Sequence, residues 1–420
     1  MVGTVIIENS TFYPNVIGGA EVSSWLLARE LSTRGLAVHA LATTGRLDEG
    51  PRETLAARRL EGISGEVLEA APAGSADLLL REGESPPHLV RRGIHHFQQV
   101  HDRRWRRLAE AALDRVRPDV VHTNTIVGLT TAVWEACRER GIPVVHTLRD
   151  FHLLCPRTTL QRSSGEFCAG GPLPCRVLRN LKRRHLDGVS LVTAPSRFNL
   201  ETHLRHGFFR DIPGVIVPNA CEGEQPATPA PGPDDGAVQG LFLAQLDAHK
   251  GLAVLLEALH ALIAAGPPPG LRVAFAGKGP LRGAVEAFCA RHPAHGSYHG
   301  VVTGARKTAL IRGSSYMLVP STWHDNFPRT MLDAFLHGLP VIGSRRGGIP
   351  EVVQDGVHGV VIEPDPRALA AAIGAYTTDG ELRRQHGRAA FAAAAGFTLA
   401  RQADRFGDLY ERVARRGGAG

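Results

Sequence analysis

Short apolar runs alternate with longer stretches in which apolar residues recur every three or four positions, and the alternation persists along most of the chain. In the first half, residues 4–8, 37–42, 119–124, 143–148 and 189–196 read as buried strands. Helical patterns lie between them. Residues 21–34 carry Val22, Trp25, Leu26 and Leu31 at helical spacing and stop at Gly35; 126–140 stops at Gly141; 198–206 follows Ser196. In the second half the strand pattern returns at 239–245, 271–276, 316–320 and 339–342. Helices are predicted within 247–260 and at 304–313 and 330–337, then at about 366–377, 380–394 and 398–415. Residues 89–117 read as one long basic helix ending before Pro118, whereas 45–90 show no usable period. Strands alternating with helices at this spacing predict an α/β chain with doubly wound parallel sheets, whose ligands belong at the carboxyl ends of the strands. His122, Asn124, Arg149 and Asp150 stand at such ends.

A chain of 420 residues exceeds one ordinary core, so two or three domains are expected. Residues 222–236 are dense in Pro and Gly without an apolar period and read as a linker. This gives a first domain over 1–218, a linker over 219–236 and a second domain over 237–397. Hydrophobic content of 43% with 21% charge is ordinary for a soluble enzyme. No run of 18 apolar residues predicts a membrane span, and the first residues lack a basic, apolar leader, so a cytoplasmic protein is expected.

The net charge of +7 concentrates in 91–117 and 176–184. Those stretches read as solvated helix faces or, in the sharper reading, as a first-domain surface that meets an anionic membrane peripherally or an anionic acceptor. They lack interleaved aromatics, so no nucleic acid partner is expected. Six cysteines do not make a disulfide scaffold. Cys155, Cys168 and Cys175 are weak metal candidates at a non-standard spacing; reduced thiols are the plainer reading, and no metal is expected.

The densest chemistry lies in 319–364. Pro328 is placed to open a helix whose free N–H groups and partial positive charge favour a phosphate or a polar sugar. Asp325 stands in the loop before that helix and Asp333 within it, and Gly347-Gly348 allows close backbone approach to a ligand. The segment contains Pro320-Ser321, Asp325-x7-Asp333, Gly338-Leu339-Pro340-Val341, Gly347-Gly348-Ile349-Pro350-Glu351 and Asp355-Gly356-Val357-His358-Gly359. This run of spaced elements resembles the donor signature of retaining, nucleotide-sugar-dependent glycosyltransferases of family 4, which have the GT-B fold.

The resemblance extends over essentially the whole chain: Gly18-Gly19-x-Glu21 after the first strand, Lys250-Gly251, the Gly277-Lys278-Gly279-Pro280 turn and Val-Pro-Asn ending at Asn219. It implies two Rossmann-like domains facing across a cleft, with the last helix packing back on the first domain. It also implies transfer of a hexose-type sugar from a nucleoside diphosphate sugar to an acceptor hydroxyl, with retention of configuration and no required cofactor. The absence of any Asp-x-Asp fits metal independence. The acceptor would be a sugar, a lipid-linked sugar or a small molecule.

Residue by residue, the resemblance places the donor on Gly18, Gly19, Gln245, Lys250, Gly277, Val302, Asp325, Asn326, Phe327, Pro328, Arg329, Thr330 and Asp333. The acceptor set is Glu21, His122, Asn124, Arg149, Asp150 and His152, and Asp325, Lys250 and Asp150 are the catalytic candidates. Three departures stand out. Both signature glutamates are aspartates, each shorter in reach by roughly 1.3–1.5 Å. Gln245 replaces the arginine that shares the diphosphate charge with Lys250, and Arg149 replaces a histidine. These changes keep open a second reading, a GT-B protein that binds nucleotide or carbohydrate without transfer.

Overall fold

The computed structural model describes residues 1–44, 52–72, 96, 100–162, 165–230, 232–233 and 236–417. The chain divides into two compact units, one formed by Met1–Leu160, Cys168–Pro218 and Leu399–Gly420, the other by Gln161–Phe167 and Asn219–Thr398.

The first unit is built on strands β1 (Thr4–Glu8), β2 (Ala37–Thr43), β3 (Arg52–Arg59), β4 (Glu66–Ala71), β5 (Val120–Thr123), β6 (Val144–Thr147), β7 (Leu191–Ala194) and β8 (Gly214–Ile216). They lie in the order β3-β4-β2-β1-β5-β6-β7-β8, parallel throughout except for the antiparallel edge pair β3–β4. Its helices are α1 (Gly19–Thr33), α2 (Arg103–Val116), α3 (Ala132–Glu139), α4 (Leu173–Arg183), α5 (Arg197–Arg205) and the last, α13 (Leu399–Gly417). Strand alternation sorts β1 into two core layers. Val5 and Ile7 pack with Leu27 and Leu31 of α1 and Phe406 and Tyr410 of α13. Ile6 points the other way, toward Val121, Trp134 and Leu113. All three β1 residues are fully buried, and each contributes about 1.5–3 kcal/mol.

Several expectations are corrected here. The stretch without period holds β3 and β4. β3 is a half-exposed edge strand, so its polar sequence hides it; Arg58 ties it to Glu69 of β4 at 2.9 Å. The helix expected at 126–140 begins only at Ala132, because Thr130 takes a left-handed backbone (φ 68°) that ends one turn before the helix can start. The long basic helix begins at Arg103, capped by the Asp102 carboxylate, which accepts from Arg104 N–H at 2.8 Å. The part expected before residue 100 lies, His96 apart, outside the described residues. Several of its cations are matched locally: Arg106 pairs with Glu110 (3.1 Å) and Glu139 (2.6 Å), and Arg115 with Glu66 (2.8 Å). These pairs favour the solvated-face reading of this helix over an open cationic surface.

The second unit has strands β9 (Val238–Leu243), β10 (Leu271–Ala276), β11 (Gly296–Tyr298), β12 (Tyr316–Val319), β13 (Val341–Ser344) and β14 (Gly359–Ile362). The order β11-β10-β9-β12-β13-β14 is fully parallel and doubly wound, with its switch point between β9 and β12. Helices α6 (Leu252–Ala264), α7 (Arg282–Arg291), α8 (Gly304–Arg312), α9 (Arg329–Leu336), α10 (Ile349–Val352), α11 (Pro366–Thr378) and α12 (Gly380–Ala394) cover it. The stretch expected to be a linker is instead strapped to this unit. Cys221 N–H donates to Phe397 O (2.7 Å), Gln225 Nε2 to Phe391 O (2.6 Å) and Ala230 N–H to His337 O (2.7 Å). Among the described residues no helix is long and apolar enough to cross a membrane.

Burial sets a pH dependence in the first unit. It pushes the rings of His146 and His203 down to about 3 and about 4. An unfolded histidine titrates near about 6.5, so as pH falls below that value the unfolded chain binds protons that these rings refuse. Stability is then lost at about 1.4 kcal/mol per pH unit for each ring. Asp150, pushed up to about 6 by burial, works in the opposite sense down to its unfolded value near about 3.9. His203→Gln should therefore flatten the acid limb of the stability curve by about one proton between pH about 6.5 and about 4.5, read by chemical unfolding of both proteins. Parallel limbs would show that His203 is already charged in the native state.

Candidate active site

In the second unit the chain leaves β9 and β12 through two neighbouring loops at the switch point. The backbone zips them together: His249 O accepts from Thr322 N–H (3.0 Å) and Trp323 N–H (3.3 Å). Lys250 ends the first loop and Asp325 lies in the second. Their side chains meet, Lys250 Nζ donating to Asp325 Oδ2 at 2.6 Å, with 19% and 8% of the side chains exposed. Trp323 Nε1–H donates to the same oxygen at 3.2 Å, and its ring lies 4.9 Å from the Lys250 ammonium. The shortened carboxylate is thus held from two sides through Oδ2.

Two glycines make this packing possible. Gly251 has φ 77°, and a Cβ there would lie 1.8 Å from Pro320 O; Gly347 has φ 58°, and its Cβ would lie 2.0 Å from Asp325 O. Gly348 N–H donates to that same carbonyl at 2.8 Å, so the Gly347-Gly348 turn carries the Asp325 loop on its backbone.

After Asp325 come Asn326 and Phe327, both buried, and Pro328, the N-cap of α9. No side chain caps this end, so the amides at Arg329 and Thr330 open a helix whose amino terminus favours negative charge. Asp333 is buried in the second turn of α9. Lys307 of α8 reaches both its oxygens at 3.3 Å and also Glu222 at 2.9 Å. Burial works against the Lys307 charge, but Asp333 and Glu222 more than offset it and hold its pKa above the ordinary lysine value. Arg329 lies 4.0 Å from Glu222. Gln245 is exposed at the end of β9, Gly277 follows β10 with its N–H on Gly300 O (2.8 Å), and Val302 is buried beyond β11.

The first unit carries the other expected residues. Gly18 and Gly19 are exposed at the start of α1, where Glu21, itself buried, accepts from Gly18 N–H at 2.8 Å. Burial raises the Glu21 carboxyl, and its bonds to the helix start oppose the shift. After β5 and β6, Arg149 Nε donates to Asn124 Oδ1 at 3.0 Å, and Asp150 Oδ1 accepts from His152 N–H at 2.7 Å. His122 is different. It is fully buried, Nδ1 bonded to Tyr410 Oη (2.7 Å) and Nε2 to Thr147 Oγ1 (2.6 Å), so both ring nitrogens hold the fold together. Its strand end is the right place, but its side chain points into the layer under α13.

Cys155, Cys168 and Cys175, the weak metal candidates, lie in the first unit. All three are free thiols, and among the described residues no group of three or more His, Cys, Asp or Glu side chains could hold a metal. The Arg179 guanidinium lies within electrostatic reach of all three sulfurs and supplies the local positive charge instead.

Trp323 and Lys307 are residues of the candidate site that sequence reasoning missed. Trp323 sits two positions before Asp325, and that proximity was the available signal. Lys307 meets Asp333 from a separate helix, and spacing does not flag it.

Gly347→Ala should lower the stability of the second unit by several kcal/mol, combining a left-handed alanine (about 1–2) with overpacking (about 1–3). Thermal unfolding measures it; a variant as stable as wild type would show that the turn moves without cost.

Residues 17–222 match the family described as Glycosyltransferase Family 4, and 238–379 match Glycosyl transferases group 1. A D-inositol 3-phosphate glycosyltransferase of Corynebacterium diphtheriae is 26% identical over 94% of this chain and 89% of that protein. An uncharacterized protein of the cps region of Klebsiella pneumoniae is 24% identical, over 52% of this chain and 55% of that one. Among solved structures, Anabaena HepE in complex with UDP superposes with a TM-score of 0.68 at 17% identity, covering 98% of this chain and 100% of that one. The sucrose-phosphate synthase of Thermosynechococcus elongatus gives a TM-score of 0.70 at 16% identity, covering 98% of each. The structural likenesses show the fold, two Rossmann-like domains of the GT-B type, and with the sequence matches across both units they place this chain: it belongs to the family-4 glycosyltransferases.

Proposed function

We propose that this protein transfers a hexose-type sugar from a nucleoside diphosphate sugar to an acceptor hydroxyl, with retention of configuration and without a metal ion. The observation that carries the reading is the Lys250–Asp325 pair at the switch point of the second sheet, beside the uncapped amino end of α9. A leaving diphosphate needs its charge neutralised. Lys250 supplies a full charge, and the α9 amides supply donors that need no reorganisation. Because Lys250 and Trp323 both engage Oδ2, Asp325 keeps Oδ1 for a sugar hydroxyl.

Asp333 accepts the ribose diol, in competition with Lys307. Gln245 contributes no charge, so the burden moves to Lys250 and the helix terminus. Attack on the donor's own face, with a phosphate oxygen taking the acceptor proton, needs no protein base, and none is assigned. On the acceptor side, Arg149 held by Asn124 suits a phosphorylated or polyhydroxylated acceptor. The Corynebacterium relative, named for D-inositol 3-phosphate, supports that class. HepE structures that hold UDP and UDP-glucose support a uridine nucleotide as the first donor to test.

A thermal-shift screen against UDP, GDP, ADP, dTDP and CDP should single out one product nucleotide, with about 2.7 kcal/mol of stabilisation at a hundredfold excess over its Kd. No shift with any of them would remove the donor assignment. Lys250→Met should lower kcat/KM by the equivalent of about 3–5 kcal/mol, and near-wild-type turnover would refute its role. Asp333→Asn should weaken nucleotide binding while leaving the sugar preference alone. Nucleotide binding with no transfer to any acceptor would favour the binding-only reading.

A further inference from the structure

Lys182 is a buried amine to which the proposed reaction gives no task; burial pulls it down to about 7, against the pull of the nearby Asp150 charge. It lies on α4, 4% exposed, and its Nζ donates to His152 Nε2 at 3.0 Å and to His152 O at 2.8 Å. His152 is 3% exposed, and its other ring nitrogen, Nδ1, has no hydrogen-bond partner. Below about pH 7 Lys182 is an ammonium with donors only, so Nε2 then accepts from it. The neutral imidazole then carries its proton on Nδ1. Burial and the neighbouring lysine charge push His152 well below the ordinary histidine value, which keeps the ring in that neutral form.

The result is a buried N–H with nothing to donate to, a state that native interiors rarely tolerate without a role. His152 also donates its backbone N–H to Asp150 Oδ1 at 2.7 Å, so the ring and the Asp150 carboxyl belong to one tight turn. The turn therefore holds a spare donor and a carboxyl acceptor two residues apart. A hydroxyl group, which donates and accepts at one oxygen, matches that pair.

We propose that His152 Nδ1–H donates to a hydroxyl oxygen of a polyol acceptor, and that Lys182 is the positioning residue that fixes this tautomer by occupying Nε2. The proposal rests on the acceptor reading given above and deepens it. Its sequence signature is weak: the lysine falls 30 residues after its partner.

The test is nitrogen NMR on the full chain labelled with 15N-histidine, with His152→Gln used to assign the His152 signals. Wild type should show His152 as the Nδ1–H tautomer, and the Nδ1–H resonance should move on adding excess inositol as a polyol probe. Lys182→Met, which keeps the side-chain length and removes the donors, should shift the tautomer toward Nε2–H. It should also weaken inositol binding about tenfold, the loss of one well-formed hydrogen bond, while UDP affinity stays within about twofold.

An Nε2–H or charged ring in wild type, an Nδ1–H signal unmoved by inositol, or an unchanged tautomer in Lys182→Met would each overturn the proposal. Failure of the donor reading is separate: it would appear as no nucleotide binding by either protein, with the tautomer and inositol readouts unaffected.

Discussion

The second unit depends on a lysine and an aspartate brought together where the sheet reverses its winding. Lys250 and Asp325 lie 75 residues apart and meet at 2.6 Å because β9 and β12 are neighbours. Topology places the two loops side by side, and backbone bonds from Thr322 and Trp323 to His249 fix their separation. Each charge is partly desolvated, and the loss of either partner would leave the other poorly compensated. The pair therefore explains the surrounding constraints: a tryptophan over the ammonium, a glycine after the lysine, and a Gly-Gly turn under the aspartate carbonyl.

The same logic separates residues that shape the site from those that shape the fold. Two imidazoles at neighbouring strand ends have opposite fates. His122 spends both nitrogens on Tyr410 and Thr147, which ties β5 to α13 and to β6. His152 spends one on Lys182 and keeps the other. Burial alone does not distinguish them, since both are nearly inaccessible. The hydrogen-bond inventory does.

Much of the architecture was legible in the sequence because the central strands are buried on both faces and read as unbroken apolar runs. The central strands of both sheets, and the signature loop with its helix, fall where the pattern put them, whereas the edge strands β3, β8 and β14 and the neighbouring β4 were not read. Illegible elements have physical reasons. β3 is an edge strand with a polar face, Thr130 imposes a left-handed residue that spacing does not reveal, and Asp102 starts α2 within a run of like charges that looks continuous. In the site, the residues within the signature could be named. Lys307 and Lys182 could not, because each lies on a different element from its partner, and pairing across elements leaves no mark in a linear pattern.

The strap over residues 219–230 joins one sheet to the other along the chain, and it is not electrically neutral toward the site. Glu222 within it shares Lys307 with Asp333. Two carboxylates thus divide one positive charge, so hydroxyls that drew on the Asp333 oxygens would alter the balance that Lys307 keeps with Glu222. A ligand on the Asp333 carboxylate would in this way be sensed, through a single ammonium, by the peptide that leads along the chain to the first unit.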